Sequence, residues 1–405
     1  MKTRSLLLIP LLLAGLGNAA RALTFQQAIE EGLRSHQLLD AAGARINSAE
    51  GARLQASRKP NPRLFLQSEN SRAWGRPGFV YPRDADSFLY LSQVVETGHK
   101  RTLRTEAAQT NIQRAEADRA ALRWQIAGRI AAAYWAAAGA AQYREAFRES
   151  LRNFDLTVQY HRDRVREGAM AEVDLLRMEL ESERLRAAFR VAEQDAVSAR
   201  IRLFREMGQD DRPAESFPDN LENIPTVTAP ENWAASRPDL AALDEATRQA
   251  AAQIRVQQSL ARPDPEILGG YKRSNGFDTV IAGVQINLPV RNRNEGNIAA
   301  ATADRAAADA TRRAAAKAAL AEVEAARAVY NARRELVTAT LPAVRARARE
   351  IARISAAAYR EGGADLLRLL DAERGRIDAD LQYVKALMEF QIAAVELQTA
   401  LGVLR

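Results

Sequence analysis

TVIAGVQINL, the ten residues from Thr279 to Leu288, alternates between apolar and largely polar side chains. The apolar side chains are those of Val280, Ala282, Val284, Ile286 and Leu288. Because successive side chains of a strand point to opposite faces, this period of two predicts a β-strand with one apolar face. The segment from Glu266 to Arg273 comes shortly before it and is predicted to be its hairpin partner.

A second pair of strand segments lies in the first half of the chain, at Arg63 to Glu69 and Phe88 to Val95. Strands of about ten residues suit a tilted crossing of an outer membrane. Four strands cannot close a barrel, and open sheet edges in lipid leave backbone groups without hydrogen bonds. Three copies of the chain would supply twelve strands, enough for a barrel with an open lumen. The alternative is a pair of hairpins in water at the end of a helical bundle.

The two halves of the chain repeat one another. Arg166-Glu167-Gly168 recurs as Arg360-Glu361-Gly362, a shift of 194 residues. Upstream of the strands, Lys59-Pro60-Asn61-Pro62 corresponds to Arg262-Pro263-Asp264-Pro265 at a shift of 203. We therefore predict a first structural repeat over residues 23–212 and a second over 239–405. Residues 213–238 contain five prolines and are predicted to form an irregular linker.

Long helices flank the strands in each repeat. A helix is predicted from Thr24 to Arg58, stopped by Pro60 and Pro62. After each strand pair the pattern is helical for over a hundred residues, and Gly98 to Gly168 contains no proline. That stretch alone would be on the order of 100 Å long. Helices of this length pack as coiled coils, and an apolar seam supports this at Leu370, Ile377, Leu381, Val384, Met388 and Val395.

Alanine distinguishes a helical cylinder from an ordinary helical bundle, which the apolar seam alone would equally allow. Between Ala299 and Ala321, 14 of the 23 residues are alanine. Such a helix can approach neighbours closely on more than one side, as the wall of a cylinder requires.

The composition excludes several functions. The chain has no cysteine, so it has no disulfide, thiolate metal site or thiol nucleophile. Its formal charge is +7, but Lys2, Arg4 and Arg21 belong to a segment that we expect to be removed. The remaining arginines alternate with acids, as in the run from Arg144 to Glu149, which is typical of a solvated helix face. We expect no nucleic-acid partner.

Residues 1–22 are predicted to be a cleaved signal peptide. Lys2 and Arg4 precede an apolar run from Leu6 to Gly17, and Ala20-Arg21-Ala22 provides small residues before the cleavage point. An uncleaved anchor is the alternative, although the run is shorter than the ~20 residues that span a bilayer. Without a cysteine, the mature amino terminus is not expected to carry lipid. No later stretch predicts a transmembrane helix.

The repeated order of helix, strand, strand and helix resembles the TolC-type outer membrane factors over essentially the whole mature chain. QVVETGHKR, from Gln93 to Arg101, and LPVRNRNEG, from Leu288 to Gly296, are similar to two signatures of the CzcC-like heavy-metal cation branch. The resemblance implies a mainly α fold with a small β part. It implies a homotrimer in the outer membrane of a Gram-negative bacterium, with a twelve-stranded β-barrel and a periplasmic α-barrel of coiled-coil helices. It also implies docking to a periplasmic adaptor and an inner-membrane RND-type pump.

The same resemblance implies a gate after the second Glu-Gly turn, where two acids of the family line the periplasmic aperture. Here Arg368 replaces the first acid and Asp371 is the second, while Asp174 and Arg177 occupy the equivalent positions of the first repeat with the signs exchanged. Residues three apart share a helix face. We expect the four side chains to form links within and between protomers that hold the closed state. The alternative is a set of surface pairs worth about 0–1 kcal/mol each.

The turns themselves are predicted to form the tip that meets the adaptor, with Glu167, Gly168, Glu361 and Gly362 as the contact residues. Gly168, Gly362 and Gly363 can supply a positive φ where one helix ends and the next begins. An ordinary helix-hairpin turn would explain these glycines equally well, and only the family resemblance favours docking.

No motif of catalysis, cofactor binding or metal binding is found, so an exported enzyme has no active site to support it. His36, His99 and His161 have no neighbours at metal-ligand spacing. Trp74, between the first two strands, is assigned to an extracellular loop or an interfacial belt. The sequence leaves the cargo open between metal cations, drugs and secreted proteins. A periplasmic coiled-coil adaptor is the alternative from another class.

Overall fold

The computed structural model describes residues 22–71, 77–213 and 216–404. The predicted signal peptide, apart from its last residue, and Trp74 therefore lie outside the described residues. The chain forms two compact units. Unit 1 contains the residues up to His36, Ile126–Thr228 and Ala326–Gln398, and unit 2 contains Gln37–Gln125, Ala229–Ala325 and the residues from Thr399 onward. Each unit draws on both sequence repeats, and the repeat boundaries stay a prediction.

A four-stranded antiparallel sheet lies in unit 2. Its strands are β1 (Arg63–Glu69), β2 (Asp86–Val94), β3 (Pro265–Ser274) and β4 (Phe277–Ile286), in that spatial order. All four predicted strands are present. β1 has the predicted bounds, whereas β4 begins and ends two residues earlier than predicted.

The position of β4 is set by the turn before it. Asn275 and Gly276 connect β3 to β4, and both have positive φ, at 49° and 81°. This is the requirement of the tight two-residue hairpin turn whose twist matches that of the strands. Ser274 consequently pairs with Phe277, and the strand starts directly after the glycine.

The predicted single helix from Thr24 to Arg58 is wrong, since the chain forms α1 (Phe25–Arg34) and α2 (Gln37–Ala56). Thr24 begins α1 with a capping box in which its side chain and that of Gln27 each accept a backbone N–H. At Ser35 the backbone leaves helical geometry, with φ −119°, and the side chain of the next residue, His36, is buried. The short helix α3 (Tyr81–Asp84), with Pro82 in its first turn, was not predicted.

The long helical stretches after each strand pair are confirmed. In the first repeat they are α4 (Lys100–Arg166), of 67 residues, and α5 (Glu172–Glu206). In the second they are α7 (Glu295–Glu335), α8 (Leu341–Arg360) and α9 (Leu366–Ala400), while α6 (Pro238–Leu260) precedes β3. None of the described helices is both long enough and apolar enough to cross a membrane.

A π-helical segment, Leu336–Thr340, joins α7 to α8. Pro342 follows it in the first turn of α8. Proline has no N–H to donate and its ring displaces the carbonyl of the preceding turn, so the helix widens here instead of continuing regularly. α4 has no proline, and it continues without such a segment.

The two units bury different side chains. Unit 1 has a core of large residues that are fully shielded from solvent, namely Leu23, Tyr134, Leu203, Phe204, Met207 and Leu221. In unit 2 small residues dominate the buried set, which includes Ala42, Ala49, Ala242, Ala252, Ala301 and Ala319. Most alanines between 299 and 321 are exposed in the single chain.

Candidate functional site

The register of the sheet collects apolar side chains on one face. Leu64 pairs with Leu91, Leu91 with Gly269, and Gly269 with Ala282, and directly paired residues point to the same side. The large apolar residues of this face are exposed, and they are Leu64, Leu66, Leu89, Leu91, Ile267, Tyr271, Val280, Val284 and Ile286. Val280 is 87% exposed and Leu66 is 72% exposed. A contiguous exposed apolar face of this kind marks a surface that contacts lipid or another protein.

The opposite face of the sheet mixes polar and aromatic side chains, among them the stacked rings of Phe65 and Tyr90. Arg63 Nη2 lies 2.7 Å from Glu266 Oε1, and the hydroxyl of Ser92 donates to the same oxygen at 2.6 Å. The Lys272 ammonium lies 5.0 Å from the centre of the Phe88 ring on the neighbouring strand. Charged side chains in the middle of the strands therefore lie on this second face, whereas the first face is apolar across all four strands. Among the described strands, β1 and β4 each have one edge without a partner.

The two Glu-Gly turns have the same backbone geometry. Gly168 and Gly362 have φ of 71° and 74°, which confirms the predicted positive φ at both, whereas Gly363 does not adopt one. The residue after each glycine donates its N–H to a carbonyl five residues earlier, Ala169 to Arg164 and Gly363 to Ala358. This is the six-residue hydrogen bond of a Schellman cap. A Cβ on either positive-φ glycine would meet no neighbour, so both turns are open to a partner.

The four gate residues lie on α5 and α9, the helices that contribute to one apolar cluster in unit 1. The cluster consists of Phe154, Val158, Met178, Leu366, Leu369 and Leu370. Arg177 Nη1 lies 3.3 Å from Asp174 Oδ1 on α5. Arg368 and Asp371 are exposed on α9, and in the described part of the chain neither makes an ion pair. The structure thus places each pair on its own helix beside one core, and the proposed links between protomers stay a prediction.

A partly buried ion pair that the sequence analysis missed links the two repeats in unit 1. Arg374 on α9 donates to the carboxylate of Glu181 on α5, and Arg184 Nη1 lies 3.4 Å from the same oxygen. The Glu181 side chain is only 9% exposed. The hydrogen bond from Arg374 is the main reason that the pKa of Glu181 lies below its ordinary value, since burial acts in the opposite direction.

The repeat could have revealed this contact. Glu181 and Arg374 are 193 residues apart, one less than the shift that relates the two Glu-Gly turns. Two similar hairpins that pack against each other bring nearly equivalent positions together. Their chemical types, an acid and a base, are the further signal.

His161 is buried, and its ring is held by protein groups on both sides. Its Nδ1 lies 2.7 Å from the Thr157 carbonyl oxygen and its Nε2 lies 3.1 Å from the Tyr359 hydroxyl. Both ring nitrogens are therefore engaged by protein groups, which explains a buried histidine between α4 and α8. Within the described residues, no three histidine or acidic side chains come close enough to hold a metal ion.

Comparison with known families gives a match to most of the chain. The sequence model of the family described as outer membrane efflux protein matches residues 28–209 and 229–403. The two matched ranges are separate, one in each half of the chain.

Two characterised proteins are similar in sequence. The cobalt-zinc-cadmium resistance protein CzcC of Cupriavidus metallidurans is 27% identical over 298 residues, covering 71% of this chain and 68% of that protein. The nickel-cobalt-cadmium resistance protein NccC of Alcaligenes xylosoxydans xylosoxydans is 26% identical over 303 residues, covering 72% and 67%.

Solved structures share the fold over nearly the whole chain. CusC superposes with a TM-score of 0.79 at 18% identity, covering 93% of this chain and 91% of that chain. The MtrE outer membrane channel of Neisseria gonorrhoeae, in its open state, gives a TM-score of 0.76 at 20% identity, covering 93% and 88%. At these identities the likeness concerns the fold, which is a helical barrel joined to a β-barrel.

Proposed function

This chain belongs to the outer membrane efflux protein family, and from that premise we infer that it is the exit duct of a system that exports heavy-metal cations. It is an outer membrane efflux channel and not an enzyme. Beyond that family-level function, we propose a cargo, an assembly and partners. In it, cations pass passively from a pump and an adaptor through the channel to the outside.

The observation that best supports a duct is a sheet with one continuous apolar face and two edges without partners among the described residues. Its apolar face suits lipid, and the charged and hydroxyl groups of Arg63, Ser92 and Glu266 on its other face suit a wet lumen. A sheet in lipid with free edges is costly, because each unpaired backbone group loses several kcal/mol of hydrogen bonding. Three copies would pair β1 of one chain with β4 of the next, which closes a twelve-stranded barrel.

The cargo assignment is supported by the relatives CzcC and NccC, whose names specify resistance to cobalt, cadmium and zinc or nickel. Multidrug efflux and type I protein secretion are the alternatives, since a duct receives what its pump selects. Arg368 at the expected aperture replaces an acid, so attraction of cations by the gate itself does not support metal cargo.

The partners proposed are a periplasmic adaptor, docked at Glu167, Gly168, Glu361 and Gly362, and an inner-membrane RND-type pump. The open glycines of both turns support the docking site. We further propose export with cleavage of residues 1–22, and a mature amino terminus without lipid, since the chain has no cysteine.

The proposal is tested by deleting the gene and measuring tolerance to zinc, cobalt, cadmium and a panel of drugs and dyes in parallel. We expect sensitivity to the metals, reversed by a plasmid copy of this chain. Sensitivity to drugs or dyes alone would show that the cation assignment is wrong while leaving the duct in place.

A further inference from the structure

Four chain segments meet at one end of the sheet. They lead into β1 and β3 and out of β2 and β4, and the antiparallel order places all four at the same end. The segments are residues 57–62, 95–101, 261–264 and 287–295. The helices α2, α4, α6 and α7 lie directly beyond them in sequence, so this is the helix end of the sheet.

Cations dominate these segments. They contain seven lysines and arginines against three acids, Glu96, Asp264 and Glu295. Glu96 is held by Arg104 at 2.6 Å and Asp264 by Lys100 at 2.7 Å. The other six cations are exposed and make no ion pair within the described residues, and we name them the junction cations: Arg58, Lys59, Arg101, Arg262, Arg291 and Arg293.

The opposite end of the sheet differs. In the described residues of its loops (70–71, 77–85 and 275–276), Arg83 is the sole lysine or arginine, and its Nε lies 2.9 Å from Asp84 Oδ1. Of the described residues at the two ends of the sheet, those at the helix end therefore carry the cations without ion pairs.

Several of these cations converge on one cleft of about 600 Å³, whose charged and imidazole side chains are those of Lys59, Glu96, His99, Lys100, Arg101 and Arg262. The turn between β2 and α4 fixes the shape of this cleft. Lys100, with a side chain only 7% exposed, donates to the Arg262 carbonyl at 2.5 Å. Gly98, with φ +63°, lies so close to the Arg262 side chain that a Cβ would collide with it. The cations are therefore held together by a defined turn, although their side chains reach solvent.

Exposed apolar side chains adjoin the same surface. Val95 is 42% exposed, Leu288 is 74% exposed and Val290 is 76% exposed. Val95 continues the apolar face of β2, and Leu288 and Val290 follow that of β4. An apolar band that ends in unpaired cations matches a lipid leaflet, in which acyl chains give way to phosphates.

We propose that the junction cations bind the phosphate groups of anionic phospholipids in the leaflet on the helix side of the membrane. This lipid-binding proposal rests on the proposed function, in which the strands cross the outer membrane. Each chain of a trimer would bring its own set, so the barrel would be ringed by positive charge. The headgroups would fix the depth of the barrel, and the attraction would weaken with salt because the sites are exposed.

The test is native mass spectrometry of the detergent-purified, full-length assembly titrated with tetraoleoyl cardiolipin or dioleoyl phosphatidylethanolamine. The junction variant changes all six junction cations to Gln. The control variant changes five arginines and one lysine that are likewise exposed and without ion pairs in the described chain, namely Arg119, Arg152, Arg202, Arg313, Lys317 and Arg347. Planar-bilayer conductance is recorded for every variant.

Wild type and control should bind cardiolipin at about tenfold lower lipid concentration than the junction variant. All three should bind phosphatidylethanolamine equally, and an excess of inorganic phosphate should not displace cardiolipin. A cardiolipin preference that survives in the junction variant would overturn the proposal, as would binding of lipopolysaccharide alone. Conductance distinguishes a failure of the lipid-binding proposal from a failure of the duct proposal. If the chain did not form a duct, wild type would show no conductance either.

If the junction variant does not assemble, the salt dependence of lipid binding by wild type tests the proposal instead. The wild-type preference for cardiolipin should decline steeply from about 50 mM to about 500 mM NaCl, where the screening length shortens several-fold. A preference that does not change with salt would contradict binding through exposed cations.

Discussion

At the scale of single residues, Arg368 and Asp371 lie exposed on α9 while Leu369 and Leu370 between them are buried. The apolar pair fixes the rotation of the helix, and the charged pair is left free to meet another chain. Replacing both Arg368 and Asp371 with Ala should raise single-channel conductance in planar bilayers, because links that hold the aperture closed would be lost.

The matched control for the gate is the Arg148–Glu145 pair on α4, which has the same three-residue spacing at 2.7 Å. Its double alanine variant should leave conductance unchanged. Equal conductance for wild type and the Arg368/Asp371 variant would show that these side chains form ordinary surface pairs.

Glu181 makes the stability of unit 1 depend on pH. Its pKa is lowered in the folded protein, chiefly by Arg374, so its contribution to stability is present above the ordinary value of 4.5 and is lost as the pH falls through the lowered one. Glu181→Gln should lower stability at pH 7 by about 1–2 kcal/mol, because Arg374 is partly exposed and water screens the pair.

Thermal unfolding followed by circular dichroism at several pH values measures this effect. The wild-type midpoint should decline below pH 4.5, and the variant should decline less steeply. Glu183→Gln, which removes an exposed pair with Arg186, is the control and should change little. Parallel pH profiles for wild type and Glu181→Gln would contradict the role of the Glu181–Arg374 pair.

At the scale of elements, the sheet depends on a glycine where two strands approach closely. A Cβ at Gly270 in β3 would collide with the Leu89 carbonyl oxygen and with the Tyr90 backbone, neither of which can move without breaking the β2–β3 ladder. At the adjacent Gly269 the nearest atom would be 3.9 Å away. Gly270→Ala should therefore greatly reduce the heat-resistant oligomer seen in gel electrophoresis, whereas Gly269→Ala should preserve it. Equal effects of the two substitutions would show that the strand spacing differs from that described.

The elements that the sequence predicted well are those with a regular pattern over many residues. Alternation of side chains identified β4, and the absence of proline from Gly98 to Gly168 predicted α4. The errors lie where a few local interactions decide: the Asn275-Gly276 turn moved β4 by two residues, and the break at Ser35 has no proline or glycine to mark it. The π-helical segment depends on Pro342, but a proline alone does not specify whether a helix kinks, ends or widens.

At the scale of the whole molecule, the repeat explains contacts that no local motif revealed. Arg63 and Glu266 are 203 residues apart, which is the shift between the proline motifs upstream of the strands. His161 and Tyr359 are 198 apart, close to the shift of the helical turns. The repeat thus predicts which regions face each other. It does not predict which side chains bond, because the two copies differ between the landmarks. The gate and the docking residues, which depend on other chains, stay predictions.

A single chain leaves surfaces that an assembly would cover. Besides the apolar sheet face, α5 exposes Val173, Leu176 and Leu180, each more than half accessible, at the three- and four-residue spacing of a coiled-coil seam. Neighbouring chains would cover this stripe while they complete the barrel. The association of three identical chains is the claim on which the duct depends.

The most direct test is the molar mass of the purified, processed protein by multi-angle light scattering, corrected for detergent. We predict a membrane-extracted particle with three chains, each slightly lighter than the 44.6 kDa of the full sequence. A stable monomer that dissolves in water without detergent would contradict it.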